Sequence, residues 1–170
     1  MREEEPAIAI PGELEQAFRA YHGVVFRTAY RITGSAADAE DVLQSVFLRL
    51  LRKPEQFDAM ENAESYLRRA AINAALDLVR ARQRIQQTEL PELPDGGGHH
   101  DGELRRALAR ALAQLKPRPA EIFTLRFLEG LSNPEIAQML GISQVLVAVI
   151  VHRTRQQLRK ELQPYIGDRS

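Results

Sequence analysis

Apolar residues recur at three-to-four spacing along most of the chain, and alternation of period two is sustained nowhere. From Glu13 to about Ile32, the residues Leu14, Ala17, Phe18, Tyr21, Val25 and Ala29 share one helical face, and the pattern ends near Gly34. Ser35 or Asp38 then caps a second helix, whose apolar face is Ala39, Val42, Leu43, Val46 and Leu50 with Phe47 beside it; Pro54 stops it. Lys53 to Glu61 reads as an ordered loop anchored by Phe57. Asn62 has the capping-type side chain for a third helix, which carries Tyr66, Leu67, Ala70, Ala74, Leu76 and Val79 into a set of arginines. Downstream, Leu104 to Leu115 predicts a helix ended by Lys116 and Pro117, and Pro119 to Leu128 predicts another that ends at Gly130. The stretch SNPEIAQMLGIS, Ser132 to Ser143, predicts a short capped helix, a glycine turn, and a serine that caps the next helix. Two short helices joined in this way describe a helix-turn-helix. The fold class is all-α.

The one clear break is residues 88–102, where two prolines and four glycines deny helix or ladder geometry. It divides the chain into two small helical modules, residues 1–87 and 103–170, joined by a flexible acidic linker. A length of 170 residues suits that division, and 44% hydrophobic with 27% charged residues is an ordinary globular composition. No apolar run approaches the roughly 18–20 residues a membrane span requires, and the acidic N-terminus lacks the apolar core of a secretory signal. A soluble, cytoplasmic protein with no membrane insertion is the default expectation. The absence of cysteine excludes disulfide frameworks, cysteine nucleophiles and thiolate metal sites.

The net charge is zero, but its distribution is uneven. Residues 65–87 carry Arg68, Arg69, Arg80, Arg82 and Arg84 against Asp77 alone, and residues 104–170 carry 11 basic and 5 acidic groups. Residues 91–103 hold four acidic groups and no basic one. Local sign, more than the total, decides which surface approaches a phosphate backbone.

Each candidate motif has a plainer alternative. The helix-turn-helix corner, built from Ile136, Ala137, Leu140 and Ile142, is either a DNA reader or a simple αα-hairpin. The five arginines either hold phosphates or form a solvated face with a favourable interaction at the helix C-terminus. Asp38, Glu40 and Asp41 suit the positive end of the second helix dipole. His99 and His100, between Asp95 and Asp101, lie in a glycine-rich loop without the rigid spacing a metal needs. No nucleophile–base pairing, phosphate loop or helical His-x-x-x-His is present, so catalysis has no visible home and no cofactor is expected.

Two stretches resemble one family. AEDVLQSVFLRL, Ala39 to Leu50, within residues 21–52, resembles the polymerase-binding region of bacterial sigma factors. SYLRRAAINAALDLVR, Ser65 to Arg80, resembles the adjoining promoter-melting helix, and Leu112 to Leu162 resembles the C-terminal helix-turn-helix domain of the same proteins. Their order and the short linker resemble the extracytoplasmic function (ECF) subfamily. The resemblance implies a non-enzymatic initiation subunit whose first module docks on the clamp helices of the RNA polymerase β′ subunit and captures the melted −10 element. The second module would bind the β flap and read the −35 element as duplex. It implies that Asp41, Gln44, Ser45 and Phe47 face the polymerase, with Ser45 standing where a glutamate is usual. It implies DNA roles for Asn73, Arg80, Arg82 and Arg84, and a base-capturing role for the loop from Phe57 to Asn62. The acidic linker would lie near the RNA exit path.

Three departures from the family pattern bear on function. Tyr66 stands in place of a common tryptophan, and Ile72 in place of an arginine, which removes a cation from the expected DNA side. After Ser143, QVLVAVI (Gln144 to Ile150) replaces a polar, basic run, so Ser143, Gln144, His152, Arg153 and Arg155 are the remaining polar candidates for DNA near that helix. A helix that is apolar on every side, Val145 to Val151, predicts an exposed apolar patch. Candidate partners for it are a second copy of the chain, forming a homodimer, an anti-sigma factor, or the −35 element in a weakened mode. The alternative reading is a sigma-like regulatory or interaction protein that uses this helix to bind a protein partner.

Overall fold

A computed structural model describes residues 12–58, 61–88 and 100–167. Helix α1 spans Gly12–Thr33, and Gly34 closes it with a left-handed φ of 67° while its amide donates to the Tyr30 carbonyl. Helix α2 spans Ala36–Arg52, and the Ser35 hydroxyl accepts from the Asp38 amide at its start, so Ser35 and not Asp38 is the cap. Pro54 ends α2 but also opens a short helix, α3, Pro54–Asp58. The expected loop is therefore helical at its start, because proline's fixed φ suits a first helical turn. Helix α4 spans Ala63–Thr88, with the Asn62 side chain accepting from the Ser65 amide at 3.0 Å.

Helices α1, α2 and α4 pack on one another around Val25, Ala29, Ile32, Ala39, Val42, Val46, Leu50, Leu67, Ala71, Ile72, Ala75 and Leu76. The alanines of α4 have no bulk to hold its backbone away from its neighbours, and Ala71 and Ala75 are wholly buried.

The second module opens with α5, His100–Gln114, and continues through α6, Pro117–Phe123. Helix α6 runs directly into a π-helical turn, Thr124–Leu128, in which the Glu129 amide reaches back five residues to the Thr124 carbonyl. Helix α7, Asn133–Leu140, and helix α8, Gln144–Ile166, meet at 112° across the Gly141 turn. Helices α5, α6 and α7 all pack on α8, around Leu112, Ile122, Leu125, Ile136, Val147 and Leu158.

Helix α4 continues to Thr88 and α5 begins at His100, so the helices intrude on both ends of the span assigned to the linker. Residues 89–99, which include His99, Asp95 and the linker's prolines, lie outside the described residues. The two modules are packed together: α5 lies along α4 and touches α1, and α6 touches α4. Arg105 of α5 sits over the Tyr30 ring of α1, 5.4 Å from its centroid, a cation–π contact that joins the modules. No strand occurs among the described residues. No single helix among them is long and apolar enough to cross a membrane.

Candidate functional site

Three surfaces hold the residues singled out by sequence. The first is the outer face of α2. Asp41, Gln44 and Ser45 are exposed and lie at helical spacings of three and four, on one stripe. Phe47 does not join them. Its ring is buried, with 8% exposure, and meets Phe18 of α1 edge-on at 4.9 Å. The reason is angular: Phe47 is six residues from Asp41, which puts it about 120° round the helix from that residue and onto the core side with Val46 and Leu50. The next position on the stripe after Ser45 is Leu48, which is 51% exposed. Spacing counted from Asp41 is the sequence signal that finds it.

The second surface is α4. Four of its five arginines are engaged. Arg82 makes a two-pronged ion pair with the buried Asp38 of α2, and Arg69 donates to Glu121 of α6 at 2.6 Å. Arg68 bridges Glu64, one turn away, and Glu129 of the second module. Arg80 donates to the carbonyls of Ala113, at 2.8 Å, and Leu115, at 3.4 Å, where α5 ends. It also pairs with Asp77. Orphan carbonyls at a helix C-terminus are natural acceptors for a guanidinium. The arginine set is therefore chiefly a set of clamps, and only Arg84 has no ion-pair partner among the described residues. Ile72 is wholly buried, so that position turns into the bundle and not toward DNA. Asn73 is half-buried, and Phe57 packs against the core. Asn62 spends its carbonyl on the α4 cap.

The third surface is the helix-turn-helix. The Ser132 hydroxyl accepts from the Glu135 amide, and the Glu135 carboxylate accepts from the Ser132 amide at 2.7 Å, a reciprocal capping box. The Ser132 amide, and after it the Ser132 hydroxyl, hold the Glu135 carboxyl below its ordinary value of 4.5. Gly141, at φ 65°, makes the turn that a β-carbon would strain. The Ser143 hydroxyl accepts from the Leu146 amide at 3.1 Å and so starts α8. Val147 is wholly buried at the corner, whereas Val145 (73% exposed), Leu146 and Val149 face outward. The expected apolar patch is thus present on a helix, with Gln144, His152, Arg153 and Arg155 exposed around it.

Between the second and third surfaces lies an open cleft of about 790 Å³, lined by Asn62, Tyr66, Arg68, Arg69, Glu129 and Gln138 among others.

Comparison with known proteins places both modules. Residues 17–85 match the model of Sigma-70 region 2, and residues 105–158 match that of Sigma-70, region 4. The chain is 36% identical to the ECF RNA polymerase sigma factor SigE of Mycolicibacterium smegmatis over 87% of its own length and 61% of that protein's. It is 32% identical to the RNA polymerase sigma-E factor of Streptomyces coelicolor, covering 88% of this chain and 86% of the other. The chain belongs to the ECF sigma factors of the sigma-70 family. Its fold is also that of the sigma factor RpoE solved with the anti-sigma factor NepR from Bartonella quintana, with a TM-score of 0.53 and 20% identity, over 89% of this chain and 98% of the other. Sigma factors are not an enzyme class.

In this sigma factor, region 2 is the α1, α2 and α4 bundle, and region 4 is the helix-turn-helix with α5 and α6 behind it. The structure brings together Asp41, Gln44 and Ser45 on one face, and Ser143 and Gln144 at the start of α8. It separates Phe47 from the first group, seats Arg80 on carbonyls at the end of α5, and pairs the exposed Arg82 with the buried Asp38. Sequence reasoning did not single out the exposed Leu48, for which the helical stripe was a signal, or the buried, ion-paired Glu129, for which spacing along the chain offered none.

Proposed function

We propose that this sigma factor is a promoter-specificity subunit that docks on core RNA polymerase through the α2 stripe and directs it to promoter DNA through regions 2 and 4. It acts where polymerase acts, in the cytoplasm. The observation that carries this reading is the pairing of both family regions, in order, with a helix-turn-helix whose second helix presents its first turns to solvent. Asp41, Gln44 and Ser45, with Leu48 as the apolar contact, suit a basic helical partner such as the β′ clamp. Region 4 contacts the β flap. The α8 start reads the −35 duplex with Gln144 and the Ser143 cap, while Val145, Leu146 and Val149 offer apolar contact to thymine methyl groups. His152, Arg153 and Arg155 supply phosphate contacts farther along the helix. In region 2, Phe57, Asn62 and Asn73 border the surface that receives the unpaired −10 strand, with Arg84 as the arginine of α4 that has no ion-pair partner among the described residues.

The docking assignment is tested by core-polymerase affinity. Asp41→Ala combined with Gln44→Ala is expected to weaken it roughly tenfold or more, since each tenfold is about 1.4 kcal/mol of contact. Unchanged affinity with intact helicity would show that α2 is not the docking helix.

A further inference from the structure

We propose that Val145 and Val149 make −35 recognition by this sigma factor depend on thymine methyl groups, so that its −35 element carries thymines where α8 enters the major groove. This rests on the reading of α8 as the −35 helix.

In a helix-turn-helix the first turns of the second helix meet base edges. Here those turns run from Gln144 to Ile150, and Gln144 is the one side chain among them with a hydrogen-bonding group. The Ser143 hydroxyl just before them is committed to the cap, accepting from the Leu146 amide. Val147 is buried at the corner, and the stripe opposite it is Val145, Ala148 and Val149, all exposed, at spacings of three and four. An aliphatic group cannot satisfy the donors and acceptors of a G·C edge, and leaving such a group dry and unpaired costs roughly tenfold in affinity. The thymine C5 methyl is the major-groove feature that an aliphatic group matches. Val145 and Val149 are about 6 Å apart along the helix axis, close to two base-pair steps of about 3.4 Å, so each can meet its own methyl group. Valine is held near one rotamer in a helix, and little freedom is lost on contact. Gln144, one residue earlier, suits adenine N6 and N7.

The surrounding charge decides what covers this patch. Farther along α8, His152, Arg153, Arg155, Arg159 and Lys160 are exposed, with Glu161 as the helix's one acid. A second copy packed there would bring two basic helices together, whereas a phosphate backbone neutralises them. The patch is also small. Val145, Leu146 and Val149 are only partly exposed and offer at most a few hundred Å², against about 800 Å² per partner in a stable protein interface.

Holoenzyme assembled from the full chain and bacterial core polymerase is bound to a synthetic duplex carrying one of the promoters at which it starts transcription. Uracil, which lacks only the methyl group, replaces thymine in the −35 segment alone, or in the spacer as the control. At the most sensitive thymine, cytosine and 5-methylcytosine, each paired with guanine, are also compared. Fluorescence anisotropy reads affinity for the parent, for Val145→Ala with Val149→Ala, and for Val145→Ala alone, which decides the matter if the double variant does not fold.

In the parent, each contacted thymine changed to uracil is expected to lower affinity about fourfold, the worth of one buried methyl group. Uracil in the spacer changes it less than about twofold, and 5-methylcytosine binds about fourfold better than cytosine. In the valine variants the thymine-to-uracil ratio falls toward one; a merely structural role would weaken both duplexes alike and keep the ratio. A −35 element without thymine, or a ratio of one in the parent, would overturn the proposal and leave the sigma-factor reading standing. Sedimentation of the free protein as a dimer that Val145→Lys dissolves would overturn it by showing that protein covers the patch. A holoenzyme that starts at no specific site would remove the promoter reading itself, and the proposal with it.

Discussion

Replacing Arg82 separates two roles for the basic end of α4. In the structure Arg82 clamps Asp38, whose side chain is 5% exposed, while the arginine side chain is 55% exposed. Arg82→Gln leaves a buried carboxylate without its only side-chain partner among the described residues. Stranding one member of a fully buried pair costs about 3–5 kcal/mol. Two features reduce that figure here. The half-exposed arginine side chain was already screened by water, and Asp38 is the third residue of α2, where the helix dipole and free amides still favour a negative charge. About 1.5–2.5 kcal/mol of lost stability remains. For a chain of this size, that lowers the melting temperature by roughly 3–10 °C. Urea unfolding followed by far-ultraviolet dichroism measures it, with Asp38→Asn and the double variant completing a cycle whose coupling is expected to be about 1 kcal/mol or more. A loss below about 0.5 kcal/mol, typical of an unremarkable surface change, together with weakened DNA binding, would refute the clamp and restore Arg82 to the phosphate-binding group.

Other outcomes follow from the helix-turn-helix. Val147→Ala, at a wholly buried corner position, is expected to cost about 1–3 kcal/mol in urea unfolding, whereas Val145→Ala, at 73% exposure, costs less than about 0.5 kcal/mol; equal costs would show that the corner is packed differently. The capping box gives α7 an acid sensitivity. Because folding lowers the Glu135 carboxyl, its contribution is fully present above the ordinary carboxylate range and is lost as pH falls through the lowered folded value. Amide exchange of α7 is therefore expected to accelerate in acid in the parent and to show no such step in Glu135→Gln; an identical profile for both would remove the capping box as the cause.

The elements were legible because helical period and caps are local. Ser35, Asn62, Ser132 and Ser143 each lie within three residues of the amide they receive, and the glycines at 34, 130 and 141 all have positive φ at helix ends. The π turn was not legible, since a five-residue hydrogen bond leaves no mark in the apolar pattern. Phe47 and Ile72 were misplaced for a related reason. A motif assigns a residue to a segment, but one helical step of about 100° decides whether it meets a partner or the core. The ion pairs of the arginines were not legible because their partners are distant. Asp38 lies 44 residues from Arg82, Glu121 lies 52 from Arg69, and Glu129 lies 61 from Arg68. Charge counted along the chain cannot foresee a carboxylate delivered by folding.

Reconstituted transcription tests the central claim most directly. Purified protein and bacterial core polymerase are run on fragmented genomic DNA, and transcript 5′ ends are mapped. Start sites sharing both a −10 and a −35 element are expected, with the latter lost in Gln144→Ala combined with Val145→Ala. Intact binding to core polymerase with no specific start sites would contradict the assignment of this chain as a working promoter-specificity subunit.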